Sequence, residues 1–239
     1  MPITGPTTAI AVFLTNPEAG TVKARLAGAL GPEGAARFYW ECALLVMAKA
    51  LRLRPAEVFV FFSPAEKRAE VETLVLSRFG RFEGRFVAQS GTGMGDRVLG
   101  ALDHLRELGF ARQIVLRTDS PTLPLEFIQK GVAALEDRDC VIGPTWAGDF
   151  YLFGLKRADA GIFRNVPWGS GLELGQIHDN LSSAGMTFQM LPRWQEMDSP
   201  DDLPFLKGQV RHADYRRLKA ILEETDRQGK EENAGPSRP

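Results

Sequence analysis

Short apolar runs alternate with amphipathic segments along most of the chain. The runs at 8–14 (TAIAVFL), 57–62 (EVFVFF), 84–89 (GRFVAQ), 112–118 (RQIVLRT), 139–145 (DCVIGPT), 149–155 (DFYLFGL) and 186–191 (MTFQML) have strand length and favour β-branched and aromatic residues. Several are apolar at successive positions, as a strand buried on both faces requires. Between them, helical spacing predicts helices over 31–53, 64–79, 95–109, 124–136, 171–185 and 215–227. Pro32 and Glu33 suit the first turn of the first helix, Pro64 opens the second, and Gly109 closes the third. The alternation predicts an α/β fold, a three-layer α/β/α sandwich with a mostly parallel central sheet. We find no internal repeat and no linker, so residues 8–226 read as one domain behind a flexible N-terminus, 1–7. The polar, Gly- and Pro-containing stretch 227–239 cannot offset its ordering entropy and reads as a disordered tail.

Composition narrows the class of partner. The chain has 239 residues and a formal charge of -1, which argues against a broad basic surface for nucleic-acid polymers. Cys42 and Cys140 have no CxxC spacing, so neither a zinc site nor a redox pair is indicated. No run approaches 18 apolar residues, and the expectation is a soluble, reduced, cytoplasmic protein with no membrane partner.

Candidate chemistry gathers where strands end. In a parallel sheet, ligands bind at the carboxyl ends of the strands. Asp119 sits there, between the run IVLR (114–117) and two prolines, Pro121 and Pro124. It reads either as a ligand-facing acid or as an Asx-turn residue. Lys23 and Arg25 follow the first strand and a Gly-containing turn, a placement that suits phosphate oxygens or, more simply, a solvated helix face. The loop QSGTGMGDR (89–97) lacks dinucleotide-loop spacing. Gly95 and Arg97 are read there as nucleotide contacts, beside the alternative of a tight turn shaped for packing. Asp198 precedes Ser199 and Pro200 and reads as the flank of a helix start, or as a second carboxylate facing Asp119 across a hard divalent cation. Asp201 and Asp202 read as surface residues complementing the helix dipole. Asp149 is a candidate general base, or the partner of a surface arginine. Glu173 is a second candidate base with a helix-start reading beside it. His104, His178 and His212 are scattered and form no cluster.

Six segments in order, FLTNPEAGTVKARL, GMGDR, TDSPTLP, GPTWAGDFYLFGL, PWGSGLELGQ and LPRWQEMDSPDDL, resemble the DUF2064 family of bacterial glycosyltransferase-like proteins, also called selenodomain-associated transferase 1. The resemblance spans roughly residues 8 to 206. It implies the GT-A, nucleotide-diphospho-sugar transferase fold. It also implies Lys23 and Arg25 facing phosphate, Asp119 and Asp198 holding Mg²⁺ or Mn²⁺, and Trp168 lining an acceptor pocket. Partners would be a nucleotide or nucleotide-sugar and a small-molecule acceptor. The implied function is a metal-dependent transferase using a nucleotide-sugar donor. Beside it stand a nucleotidyltransferase and a nucleotide-binding homologue without turnover. Thr15, Ala24, Gly93, Ala147 and Asp149 depart from the family pattern, which has Lys, Thr, Asp, an acid and Gly there.

Overall fold

The computed structural model describes residues 7–156, 159–209 and 213–233. Seven strands, β1 (Thr8–Thr15), β2 (Glu57–Ser63), β3 (Arg85–Ala88), β4 (Arg112–Arg117), β5 (Cys140–Pro144), β6 (Phe150–Leu155) and β7 (Phe188–Met190), form one sheet in the order β3-β2-β1-β4-β6-β5-β7. Every neighbouring pair is parallel except those of β6, which runs against both β4 and β5. The link between β5 and β6 is too short for a crossover, so the pair forms a hairpin.

The helices are α1 (Ala24–Ala50), α2 (Arg68–Phe79), α3 (Met94–Glu107), α4 (Leu125–Asp137), α5 (Glu173–Ser183), α6 (Leu203–Gln209) and α7 (Arg216–Asn233). Period-2 alternation in β1 sends Ile10, Val12 and Leu14 into a core with α1, α2 and α4. Ala9, Ala11 and Phe13 enter a second core with α3 and α5. The expected three-layer sandwich is therefore present. A third cluster packs Leu26 and Phe38 of α1 against Leu206 of α6 and Leu218 and Leu222 of α7.

Two boundaries differ from the sequence expectation. Helix α1 begins before residue 31, and Gly31 (φ 70°, ψ 161°) breaks it where Pro32 restarts it. That positive φ carries little cost only for glycine. Helix α7 runs to Asn233, past residue 227 where composition predicts disorder. Leu218, Ile221 and Leu222 anchor its start in the core, and helix-forming Glu, Lys, Arg and Gln side chains extend it. Residues 234–239, residues 1–6 and His212 lie outside the described residues. Thr7, placed by sequence in the flexible terminus, accepts a hydrogen bond from Arg112 at 2.7 Å. No helix among the described residues is long and apolar enough to cross a membrane. Cys42 and Cys140 are free and buried, and burial pushes both thiols up, which leaves them unreactive.

Candidate functional site

The carboxyl ends of β1 and β4 lie side by side at the middle of the sheet, and three chain segments meet over them. After β1 the chain reaches Lys23, which flanks α1 in a left-handed conformation (φ 51°, ψ 44°). Its carbonyl accepts from the Leu26 and Ala27 N–H groups, leaving its side chain for the cleft. After β4, the Thr118 hydroxyl donates to the Phe13 carbonyl at 3.1 Å. It lies 3.4 Å from the Tyr39 hydroxyl, which accepts from Thr15 N–H at 2.8 Å. Buried Tyr39 thus ties the two strand ends to α1.

The third segment is pinned by backbone bonds. Met197 N–H donates to the Asp119 carbonyl at 2.8 Å. The Asp202 carboxylate accepts from Asp198 N–H at 2.9 Å, Ser199 N–H at 2.7 Å and the Ser199 hydroxyl at 2.9 Å. Asp202 is therefore the reciprocal member of a capping box and not simply a dipole-complementing surface acid. The box holds Asp198 beside Asp119.

All four carboxylate oxygens of Asp119 and Asp198 face cations. Lys23 Nζ lies 2.5 Å from Asp119 Oδ1 and 2.9 Å from Asp198 Oδ1, with its side chain only 4% exposed. Arg117 reaches the other oxygen of Asp119 at 3.1 Å, and Arg25 that of Asp198. Arg117 also pairs with Asp149, so one chain of ion pairs runs from Arg25 through Asp198, Lys23, Asp119 and Arg117 to Asp149. Burial opposes ionisation of Asp198, Lys23, Asp119, Arg117 and Asp149. At Lys23 that penalty is outweighed by Asp119 and Asp198, and its pKa rises. At Asp119, burial is outweighed by Lys23 and Arg117, which hold the carboxyl well below the usual carboxylate range. Asp198 is depressed as well, its burial outweighed chiefly by Lys23. Asp149 is raised, because burial there exceeds the pull of Arg117. Glu196 is pushed up to about 7, by burial first and then by the neighbouring charges of Asp119, Asp149 and Asp198, against Arg117.

Above this chain opens a cavity of about 250 Å³ whose lining includes Thr21, Lys23, Gln89, Arg97, Asp119 and Asp198. Arg97 has no ion-pair partner among the described residues. A second hollow of about 390 Å³ lies on the other side of the α3 start, lined by Thr92, Gly93, Gly95, Arg164 and Trp168 among others. The Trp168 indole lies against Gly95 so closely that a Cβ there would meet Nε1 at 3.0 Å. The packing alternative for the glycine turn is thus realised at Gly95, whose neighbour Met94 still borders the first cavity. Trp168 also packs on Phe150 and Phe163.

The structure brings together Lys23, Arg25, Arg97, Asp119 and Asp198, and sets Gly95 and Trp168 at the adjoining hollow. Asp149 lines neither space. It pairs with an arginine, but with the mostly buried Arg117 and not a surface one. Glu173 accepts from Ser170 N–H at 2.9 Å through one oxygen, and its other oxygen is buried without a partner. Three contributors escape sequence reasoning: Arg117, Tyr39 and Glu196. Arg117 had a signal, a cation ending a buried strand one step before Thr118 and Asp119; Tyr39 and Glu196 had none, lying in a helix and among several acids.

Among the described residues no three His, Cys, Asp or Glu side chains are grouped to hold a metal ion. Asp119 and Asp198 nevertheless share one ammonium group, so their spacing and charge fit one hard cation. Mg²⁺ is commonly held by one or two carboxylates, with phosphate and water oxygens completing its shell. The pair fits that donor set.

A central β1 flanked by parallel β2 and β4, with a reversed β6 and a cleft at the strand ends, defines a nucleotide-diphospho-sugar transferase-like fold. A structure of a candidate nucleotide-diphospho-sugar transferase from Desulfovibrio desulfuricans G20 is 26% identical, with a TM-score of 0.84 over 92% of this chain and 96% of that one. The chain belongs to the family of uncharacterized proteins conserved in bacteria, DUF2064, whose model matches residues 46–170. That match includes Arg97, Arg117, Asp119 and Trp168, while Lys23, Arg25 and Asp198 lie outside it. Two further enzymes share the fold. One is the 4-diphosphocytidyl-2C-methyl-D-erythritol synthase of Anaerococcus prevotii DSM 20548 (12% identity, TM-score 0.54, 86% of this chain and 97% of that one). Another is the inositol-1-phosphate CTP transferase of T. maritima (15%, 0.51, 92% and 97%). No curated protein matches the sequence.

Proposed function

We propose that the protein is a transferase that binds the diphosphate of a nucleotide-sugar in the cavity over β1 and β4 and delivers the sugar to a small acceptor. The observation that carries this reading is the convergence of Lys23, Arg97, Asp119 and Asp198 on one cavity at the strand ends. Arg97 offers an unpaired guanidinium suited to phosphate oxygens, and Lys23 supplies a second, buried cation. In sugar transfer an acceptor oxygen bonds to the anomeric carbon as the bond to diphosphate oxygen breaks. The leaving diphosphate takes the electron pair, and fixed cations stabilise the negative charge that develops there. Two unit charges about 4 Å apart attract by roughly 4 kcal/mol at an effective dielectric of 20, enough to matter for the barrier.

Asp119 and Asp198 are the residues that would hold Mg²⁺ or Mn²⁺, which would supply Lewis-acid neutralisation of phosphate charge there. Lys23 now satisfies both carboxylates, so it is also the group that such an ion would have to displace. Trp168 and the hollow beside it form the acceptor side in this reading. Nucleotidyl transfer, with attack on the α-phosphate and release of pyrophosphate, uses the same charged cavity. The likeness of the fold to an inositol-1-phosphate CTP transferase favours keeping it as the second reading. We place the reaction in the cytoplasm.

A thermal-shift panel of UDP, GDP, CDP, ADP and their sugars, with and without Mn²⁺, tests the assignment. A ligand at 100 times its Kd adds about 2.7 kcal/mol to stability. The expected result is a shift with one nucleotide series that is lost in Asp119→Asn. Release of a nucleoside diphosphate then marks sugar transfer and pyrophosphate marks nucleotidyl transfer. An unshifted wild type, or an equal shift in the variant, would remove the proposal.

A further inference from the structure

A second charged hollow lies away from the cleft, where the end of α1 meets the start of α7. It encloses about 680 Å³, within the range of small-molecule sites. Five cations line it, Lys49, Arg52, Arg78, Arg216 and Arg217, with Asp214 as the acid in its wall. Glu41 is the nearby counter-charge, 3.3 Å from Arg217 and 4.0 Å from Arg78. The balance is strongly positive in a chain whose overall charge is -1.

Lys49 makes this hollow more than a basic patch. Its ammonium donates to the carbonyl of Pro121 and stands 5.9 Å from the centroid of Tyr215. No carboxylate stands within ion-pair distance of it among the described residues, and the charge of Asp214, acting from farther off, only partly offsets its burial. A half-buried cation resting on a neutral carbonyl is under-compensated, and an entering anion would complete it. Pro121 belongs to the loop that carries Asp119, two residues before it. Lys49 therefore joins the hollow directly to the loop of the cleft. Arg52 adds an exposed guanidinium with no ion-pair partner among the described residues.

We propose that this hollow is a second anion site, which binds a small molecule bearing two or more phosphate charges, and that its occupancy reaches Asp119 through the Lys49–Pro121 hydrogen bond. Arg52 and Lys49 are its principal contacts. Phosphate is favoured over a carboxylate ligand because several convergent guanidinium forks suit its many oxygens. The site is independent of the sugar-transfer reading, since it shares no lining residue with the cleft.

Pyrophosphate serves as the probe, followed by isothermal titration and by hydrogen exchange over 119–123. Because pyrophosphate also suits the cleft, the titration is run on a Lys23→Gln background, with the intact chain as reference. Binding is expected to persist in Lys23→Gln and to weaken about tenfold, some 1.4 kcal/mol, on adding Arg52→Glu. Lys49→Met should weaken it similarly. Exchange over 119–123 should change with pyrophosphate in Lys23→Gln and not in Lys23→Gln with Lys49→Met. Loss of all binding in Lys23→Gln, or equal affinity with Arg52→Glu, would overturn the site. Binding without any change in exchange at 119–123 would overturn the link to Asp119. Arg52 is exposed, so Arg52→Glu is not expected to unfold the protein, and circular dichroism matching the intact chain is required of every variant titrated, Lys23→Gln included, because Lys23 is a buried partner of two carboxylates.

Discussion

A lysine stands at each end of helix α1, Lys23 with a buried side chain and Lys49 half-buried, and their surroundings treat the two charges in opposite ways. Lys23 precedes the first turn and touches two carboxylates, and its pKa rises. Lys49 lies in the last turn and touches a carbonyl, and burial lowers its pKa to about 8. The helix macrodipole acts in the reverse sense, disfavouring a cation at the N-terminus and favouring one at the C-terminus, by about 0.3–1 kcal/mol each. The two shifts run against the dipole, Lys23 raised by its carboxylates and Lys49 lowered by burial, so local partners and burial outweigh it. Counter-ions at hydrogen-bond distance set the direction of the shift, and among the described residues they stand at one end only.

Breaking the compensated end should have the largest effect. Lys23→Met leaves Asp119 and Asp198 facing each other with Arg117 and Arg25 as remaining partners. Removing one partner of a buried pair costs about 3–5 kcal/mol, and the surviving arginines put the expected loss near the lower figure. Urea unfolding at pH 7 measures it. The folded pKa values of Asp119 and Asp198 are depressed, so the stability they contribute is present above about pH 4 and is lost as pH falls through the folded values. The gap between wild type and variant should therefore close in acid. A loss under about 1 kcal/mol at pH 7 would mean that the bridge contributes geometry and little energy.

The contrast between the lysines also marks what could be read from sequence. The layered α/β architecture was legible because its strands are apolar runs and its helices are amphipathic, both local patterns. Asp119 was legible because two prolines end its strand, and Lys23 because a turn separates it from β1. The pairing of Lys23 with Asp198 joins residues far apart in sequence, and no local signal encodes that distance. The resemblance implied only that Asp198 joins Asp119 at a metal ion with Lys23 facing phosphate, and not that Lys23 pairs with both acids. Lys49 was read simply as part of a helix, since burial of a terminal ammonium depends on how α7 and the Pro121 loop pack over it. The role of Asp202 was missed for a similar reason: an acid in a first turn looks the same whether it faces solvent or closes a capping box.

The uncompensated end should respond with the opposite sign and a smaller size. Lys49→Met keeps the apolar stem and removes a charge held at a desolvation cost, at the loss of one hydrogen bond worth about 1 kcal/mol. The expected net change at pH 7 is a gain of about 1–2 kcal/mol, from a pKa lowered to about 8. The folded protein binds fewer protons at this site than the unfolded chain between about pH 8 and the ordinary lysine value of 10.5. Wild-type stability attributable to Lys49 therefore rises with pH across that window, and the variant lacks the rise. Unfolding midpoints at pH 7, 8.5 and 10 distinguish the two. A variant that is less stable at pH 7 and parallel to wild type in pH would show that the Pro121 bond outweighs the burial penalty.

Arg25 sharpens the comparison by sharing a carboxylate with Lys23 while standing in water. Its side chain is 71% exposed and that of Asp198 34%, against 4% for Lys23. Solvent screening should limit the stability lost in Arg25→Ala to under about 1 kcal/mol, although the partner is the same. At about 1 M salt the Debye length falls to about 3 Å, so the difference between Arg25→Ala and wild type should vanish, while Lys23→Met keeps most of its deficit. Urea midpoints of the three proteins at low and high salt make the measurement. If Arg25→Ala loses as much as Lys23→Met, and loses it at both salt concentrations, then burial of the cation is not what separates the two partners of Asp198.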